Sequence, residues 1–391
     1  MYVHKKLLKE SLVQVKSRYL DFINSTHVNG NVYRLTTQAD PSPFARCFAL
    51  FGYNLLQQEH MYVPTADSWA NDIRQDLKKY KEKRQSQVDN LLVDKAYLQL
   101  LTFSLSALTI LGKLEDDPLE ALVVPFIRQD IDAYFNETSI LEGEARTGNL
   151  AMFFAILLIH ARDYLHVDTS EQIEKWVSLH LDNMNQFGFW GEAKSISHLQ
   201  FQNGYHQYEI FDYLDVDNPV GRIAVDQVAS LADGMGHFAP YVGGGGCYDY
   251  DAVFILTANG SDSIDKHQSL LLKTALTILS EQNTDGGFGE SQYIRPRSLS
   301  NVCMALLHIF SVNGPALKER ARYSLSLMRS KHHRITTHWS QYSREWGESD
   351  LWDSWFRMML IARITVAISP ERIDEWGFIN YPGIGYHSGI S

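Results

Sequence analysis

Two aspartates stand where an apolar segment should have none. In the stretch GGGGCYDYDAVFILTA, Gly243 to Ala258, Asp249 and Asp251 follow four glycines and precede a run of hydrophobic residues. A carboxyl group in such surroundings holds its proton and can act as a general acid near neutral pH. On a helix a spacing of two turns the pair about 200° apart. Asp251 then shares a face with Cys247 and Ile255, and Asp249 with Val253 and Leu256. Both acids cannot face one cavity equally. The bland alternative is a first-turn aspartate favoured by the helix dipole or acting as a cap at position 249, and an ion-paired aspartate at 251. Gly243 to Gly246 read as a tight turn that lets the backbone pass close to other groups.

Other stretches offer similar groups. In GYHQYEIF, His206 and Glu209 are three apart with Tyr208 between them, a spacing suited to an acid–base pair or to a structural hydrogen bond. ESDLWDSWFR sets Asp350 and Asp353 on one helical face beside Trp352, and Asp353 and Arg357 at ion-pair spacing. EARTGN places Arg146 and Asn149 at a helix start, and Arg295 and Arg297 add positive charge before another. Tyr248 and Tyr250 flank the acids with aromatic surface. KHHRITTHW has adjacent histidines, His332 and His333, that cannot both face one metal from a regular helix; it reads as a loop edge. No metal and no cofactor is expected.

These groups need a scaffold, and composition limits its kind. The 391 residues are 45% hydrophobic and 12% aromatic, enough for a large core, and the formal charge of −11 argues against nucleic acid as the main partner. Cys47, Cys247 and Cys303 are too few and scattered for a disulfide framework. No stretch of about 18 apolar residues suggests a membrane span, and a cytoplasmic, reducing location is expected.

Helical periodicity dominates, and apolar segments recur. They start at Ala96, Gly148, Gly204, Cys247, Ser300 and Asp350, with amphipathic segments such as Ser170 to Met184 and His267 to Gln282 between them. Segments apolar on all sides are expected inside and amphipathic ones outside. Six inner and six outer helices make an all-α, α6/α6 toroid, in which the starts of the inner helices converge on one end of a central cavity. The toroid is placed at 91–391, with residues 1–90 as a helical segment packed on it.

SEQNTDGGFGE, Ser280 to Glu290, resembles the glutamine–aspartate–glycine–glycine–aromatic repeat of squalene–hopene cyclases and protein prenyltransferase β-subunits. Weaker copies occur at NQFGFWGE, Asn185 to Glu192, and DGMGHF, Asp233 to Phe238. The resemblance implies that the motif ends an outer helix and leads into an inner one, from about Ser300. It puts Asn301 and Cys303 at the prenyltransferase Asp-x-Cys zinc pair, and Asp353 at the histidine ligand. The missing carboxylate and histidine speak against that zinc site. It also puts Arg295 near the diphosphate-binding basic pair, with Ser298 in place of the lysine. Asp249-Tyr250-Asp251-Ala252 is similar to the cyclase Asp-x-Asp-Asp motif with its last acid missing, and Asp251 matches the proton donor.

The leading expectation is therefore a terpenoid-cyclase- or prenyltransferase-like enzyme working on an isoprenoid or similar apolar substrate by acid-initiated chemistry. Asp251 is its acid, with Asp249 and Asp353 as further catalytic candidates. Tyr248, Tyr250, His206, Glu209, Asn149, Arg146, Arg295, Arg297, Asn301, Asp350 and Trp352 are its expected substrate contacts. A carbohydrate-active toroid, lyase or hydrolase, using Asp249, Asp353, Glu209 and His206 is the alternative, since aromatic walls also stack on sugars. A non-catalytic toroid that binds a peptide or lipid partner is the third reading.

Overall fold

A computed structural model describes residues 2–114, 120–143, 147–192, 196–291, 299–328, 334–336, 343–345 and 347–388. The chain is mostly helical. Its helices are α1 (Tyr2–Ser25), α2 (Pro43–Leu55), α3 (Ala66–Gln85), α4 (Lys95–Ile110), α5 (Glu120–Ile127), α6 (Ile131–Thr138), α7 (Thr147–Asp163) and α8 (Ser170–Asp182). They continue with α9 (His198–Tyr213), α10 (Gly221–Ala229), α11 (Gly246–Ala258), α12 (Ser261–Ser280), α13 (Leu299–Ile309), α14 (Gly314–Met328) and α15 (Leu351–Ile368). Short antiparallel strand pairs, β1 (His27–Asn29) with β2 (Val32–Tyr33) and β3 (Arg334–Thr336) with β4 (Ser343–Glu345), are minor additions. No described helix is long and apolar enough to cross a membrane.

Six described helices, α2, α4, α7, α9, α11 and α15, are buried along nearly their whole length. Their contacts run in a closed cycle: α2 on α4, α4 on α7, α7 on α9, α9 on α11, α11 on α15, and α15 back on α2. Helices with one wet face lie between them in the chain: α3 packs on α4, α8 on α7, α10 on α11, and α12 on α11 and α15. Local signals start several of the buried helices. Asp94 accepts from Tyr97 N–H at 2.8 Å, Ser197 from Gln200 N–H at 3.1 Å, and Asp350 from Asp353 N–H at 2.8 Å, each satisfying an otherwise orphaned amide.

Two expectations are corrected here. The apolar segment from Ser300 forms α13, but Leu299, Leu306, Leu307 and Phe310 are exposed, so it is not a core helix. The sixth buried helix is α2, between α4 and α15, so residues 1–90 are not merely an outside addition. One hydrophobic cluster joins Leu8 in α1 to Ile384 near the C-terminus. A continuous run of apolar residues such as Val302 to Leu307 does not say which other part of the chain covers it.

The three motif copies adopt one turn. Asn185 N–H donates to Phe189 O at 2.7 Å, Asp233 N–H to His237 O at 2.8 Å, and Asn283 N–H to Gly287 O at 2.9 Å. In each, the glycine three residues on (Gly188, Gly236, Gly286) has a φ between 84° and 94°, a region that favours glycine. The turns dock on buried helices. Phe238 N–H donates to Asp249 Oδ1 at 2.7 Å on α11, and Phe288 N–H donates to Ser354 Oγ at 2.8 Å on α15. The turn at Asn283 thus serves α15, with α13 and α14 inserted between the turn and the helix it serves.

Candidate functional site

The four-glycine turn has a steric cause. Gly243 and Gly244 have φ of 87° and 71°. A β-carbon on Gly244 would collide with Asp249 Oδ2, and one on Gly246 would strike Asp353 on the neighbouring α15. The glycines bring α11 against α15 and put Asp249 under the turn.

Asp249 belongs to an ionic network. Besides accepting from Phe238 N–H, its Oδ2 lies 3.6 Å from Arg357 Nη1. Arg357 is 1% exposed and also donates to Glu281 Oε2 at 3.2 Å and to the carbonyls of Gly243 and Glu290 at 3.1 Å each. His237 Nε2 is 2.9 Å from Glu281 Oε1, and its other nitrogen faces Asp233. Burial acts against a charged His237, but Glu281 and Asp233 outweigh it and raise its pKa to about 10, so the ring is a cation at neutral pH. Burial raises Asp249 to about 6 against the pull of His237 and Arg357. Asp249 therefore ties the Asp233 turn to α11 and α15.

Asp251 turns the other way, towards α9. It is 0% exposed, and neither of its oxygens is in a well-formed hydrogen bond among the described residues. Burial raises its pKa well above the carboxylate range, and Glu209 raises it further. Glu209 is as deeply buried; its Oε1 accepts from Tyr250 Oη at 3.1 Å, and its Oε2 lacks a partner among the described residues. Burial lifts Glu209 to about 8, opposed by Tyr250 and Arg363. The Tyr205 hydroxyl approaches both carboxyls without an aligned hydrogen bond, and its polarity favours their charged forms. Around the pair, Tyr250 packs on Phe356 at 5.4 Å, Phe356 on Trp352 at 4.7 Å, and Trp352 on Phe48 of α2 at 5.2 Å.

The remaining expected residues divide. His206 and Glu209 do not pair: His206 Nε2 meets Asn149 Nδ2 at 2.6 Å and its Nδ1 meets Asn203 O at 3.1 Å, joining α7 to α9. Burial, with Lys95, lowers His206 to about 3, so it is neutral; Nδ1 then carries the hydrogen and Nε2 accepts from Asn149. Asp350 caps α15, and Asp353 lies against Gly246. Arg357 salt-bridges Glu281 and Asp249, on the α12 and α11 side. Tyr248 packs on Tyr241 and Phe201. Asn301 lies on α13, and Cys303 beside it is exposed, so that segment is not the start of a buried helix. Arg146, Arg295, Arg297, Ser298, His332 and His333 lie outside the described residues.

Tyr205, His237 and Glu281 were not expected. Tyr205 had a signal, since it precedes Glu209 by one helical turn; the other two are joined across separate motif copies that no local spacing connects. Among the described residues, no group of three or more His, Cys, Asp or Glu side chains is placed to hold a metal. An open surface cleft of about 1030 Å³ beside the Asn185 turn, lined by Glu142, Asn183, Asn185 and Glu192 among others, contains none of the expected site residues. No protein family, curated protein or solved structure matches the chain.

Proposed function

We propose that the chain is a terpenoid-cyclase-like enzyme that starts its reaction by protonating an alkene of an isoprenoid or similarly apolar substrate. In this reading the six buried helices are the inner barrel of an α6/α6 toroid, with α1, α3, α5 and α6 together, α8, α10 and α12 outside it. The closed cycle of buried-helix contacts and the alternation of buried and half-wet helices along the chain support it.

The observation that carries the reading is Asp251: a fully buried carboxyl whose oxygens have no well-formed hydrogen bond, beside a second buried carboxyl and aromatic rings. A carboxyl that stays protonated in a dry, aromatic site is suited to donate to carbon. The Asp251 O–H bond breaks, a C–H bond forms, and the positive charge passes to the substrate. The π faces of Tyr250, Phe356 and Trp352 can then stabilise it.

The test is turnover in D2O of a panel of isoprenoid polyenes, their epoxides, isoprenoid diphosphates and acidic oligosaccharides, followed by mass spectrometry. A cyclised or isomerised product carrying solvent deuterium, absent with Asp251→Asn, is expected. A product without deuterium, undiminished turnover by Asp251→Asn, or turnover of oligosaccharides only would overturn the reading.

A further inference from the structure

We propose that Glu209 and Asp251 act as one unit, sharing a proton across the seam between α9 and α11, and that Glu209 is the base that takes a proton back when the substrate cation collapses. The second half rests on the acid-initiated reading; the first rests on the packing of α9 on α11, the full burial of both carboxyls and their unpartnered oxygens. Three carboxyl oxygens in this seam, both of Asp251 and Oε2 of Glu209, lack a hydrogen-bond partner among the described residues, and both side chains are 0% exposed. Two ionised carboxylates in such a place would be costly without a cation, whereas a shared proton makes one a donor and the other an acceptor.

The surrounding groups fit this assignment. Tyr250, the residue before Asp251, holds Glu209 Oε1 from α11, while Tyr205 reaches both acids from α9. Arg363 of α15 acts on Glu209 but is engaged elsewhere, donating to Tyr386 O at 2.8 Å and lying over the Phe254 ring. Asp212 adds negative charge near Glu209, and Asp249 near Asp251. Lys95, at the start of α4, is the nearby cation acting on Asp251. Cys247, one turn before Asp251, is kept as a neutral thiol by burial and by Asp251.

The cycle balances without a co-reactant. Asp251 gives its proton to an alkene carbon, forming a carbocation and leaving the pair with two carboxylates around it. Glu209 then accepts the proton of a C–H bond adjacent to the cation, and that bond's electrons form a new C=C. The pair again holds one proton, which passes from Glu209 to Asp251 across the seam. The net reaction is an isomerisation or cyclisation.

The test is infrared spectroscopy of the protonated-carboxyl band in the full chain, labelled with ¹³C-aspartate or ¹³C-glutamate and titrated from neutral to alkaline pH. A band present at neutral pH, shifted by either label and lost as pH rises past about 8, is expected. In Glu209→Gln and in Asp251→Asn the remaining carboxyl should titrate at least about one pH unit below the pair's upper midpoint, the signature of coupled sites. Tyr250→Phe removes a donor to Glu209 and should move the midpoint up, which keeps the test open if either carboxyl variant fails to fold. Absence of the band at neutral pH, or midpoints unmoved in all three variants, overturns the pair. Coupled titration without polyene turnover overturns the catalytic use of the pair; turnover with uncoupled titration leaves Asp251 acting alone.

Discussion

Asp249→Ala should destabilise the fold. The substitution removes the acceptor of Phe238 N–H and one of the carboxylates facing the 1%-exposed Arg357. Leaving a buried amide unpaired costs about 1–3 kcal/mol, and breaking a buried ion pair costs about 3–5 kcal/mol. Arg357 keeps Glu281 and the carbonyls of Gly243 and Glu290, so the ionic loss falls at or below the low end of its range. A combined loss of about 3–5 kcal/mol follows. At about 2.1 cal/mol/K per residue, the 391-residue chain unfolds with an entropy of about 0.8 kcal/mol/K, so Tm should fall by about 4–6 °C. Differential scanning calorimetry at neutral pH measures this. Asp249→Asn retains an acceptor for Phe238 N–H and should lose less than half as much. A Tm unchanged by Asp249→Ala, or equal losses in the two variants, would refute the assignment of Asp249 to the turn-anchoring network.

Asp251→Asn, by contrast, breaks no well-formed hydrogen bond and nearly preserves the side chain's shape, so it should lower Tm by less than Asp249→Ala does. Gly246→Ala forces a β-carbon against Asp353 and should cost about 1–3 kcal/mol by overpacking, while Gly234→Ala, which meets nothing within 4 Å, serves as the calorimetric control. Burial lowers His160 to about 4 and His180, His198 and His206 to about 3. The unfolded chain therefore binds more protons than the folded one, and urea titrations should show stability falling as pH drops below about 6.5. The Glu209–Asp251 pair has the opposite sign: with Glu209 raised to about 8, the pair keeps a proton that the unfolded chain gives up near pH 4, so its contribution is lost as pH rises through that window. Glu209→Gln should accordingly gain stability over the wild type above about pH 8, read in the same titrations.

The sequence makes the helical class and the turn repeat legible for a physical reason. Both are local: a periodicity of 3.6 residues, and a turn whose glycine needs a left-handed φ at Gly188, Gly236 and Gly286. Which helices are buried was less legible. Pro43–Leu55 holds Phe44, Phe48 and Phe51 in a short segment interrupted by Arg46, yet it is buried because Arg46 reaches Asp72 and Asp76 of α3 at 2.8 and 3.0 Å. The more uniformly aliphatic α13 stays at the surface. The specific contacts come from α14 and the end of α13, with Glu319 accepting from His198 N–H at 2.7 Å, Arg320 donating to the carbonyl of Leu231, and His308 of α13 meeting Asp233 Oδ2 at 3.2 Å. Such pairings link residues distant in the chain, and hydropathy does not encode them.

The two aspartates of the four-glycine turn show how far helix geometry reaches. A spacing of two predicts opposite faces, and the faces are in fact given to different partners: Asp249 to the turn and to Arg357, Asp251 to α9. The separation has an electrostatic consequence. Asp249 is surrounded by the cations His237 and Arg357, which hold its pKa to about 6 in spite of burial. Asp251 has another acid as its strongest charged neighbour, so burial and repulsion act in the same direction and keep its proton on. One helix turn thus carries an aspartate suited to bind structure and another suited to give up a proton. Had the acids been spaced by three or four, both would have faced the same partners, and a cation bound by one would have drawn the proton from the other.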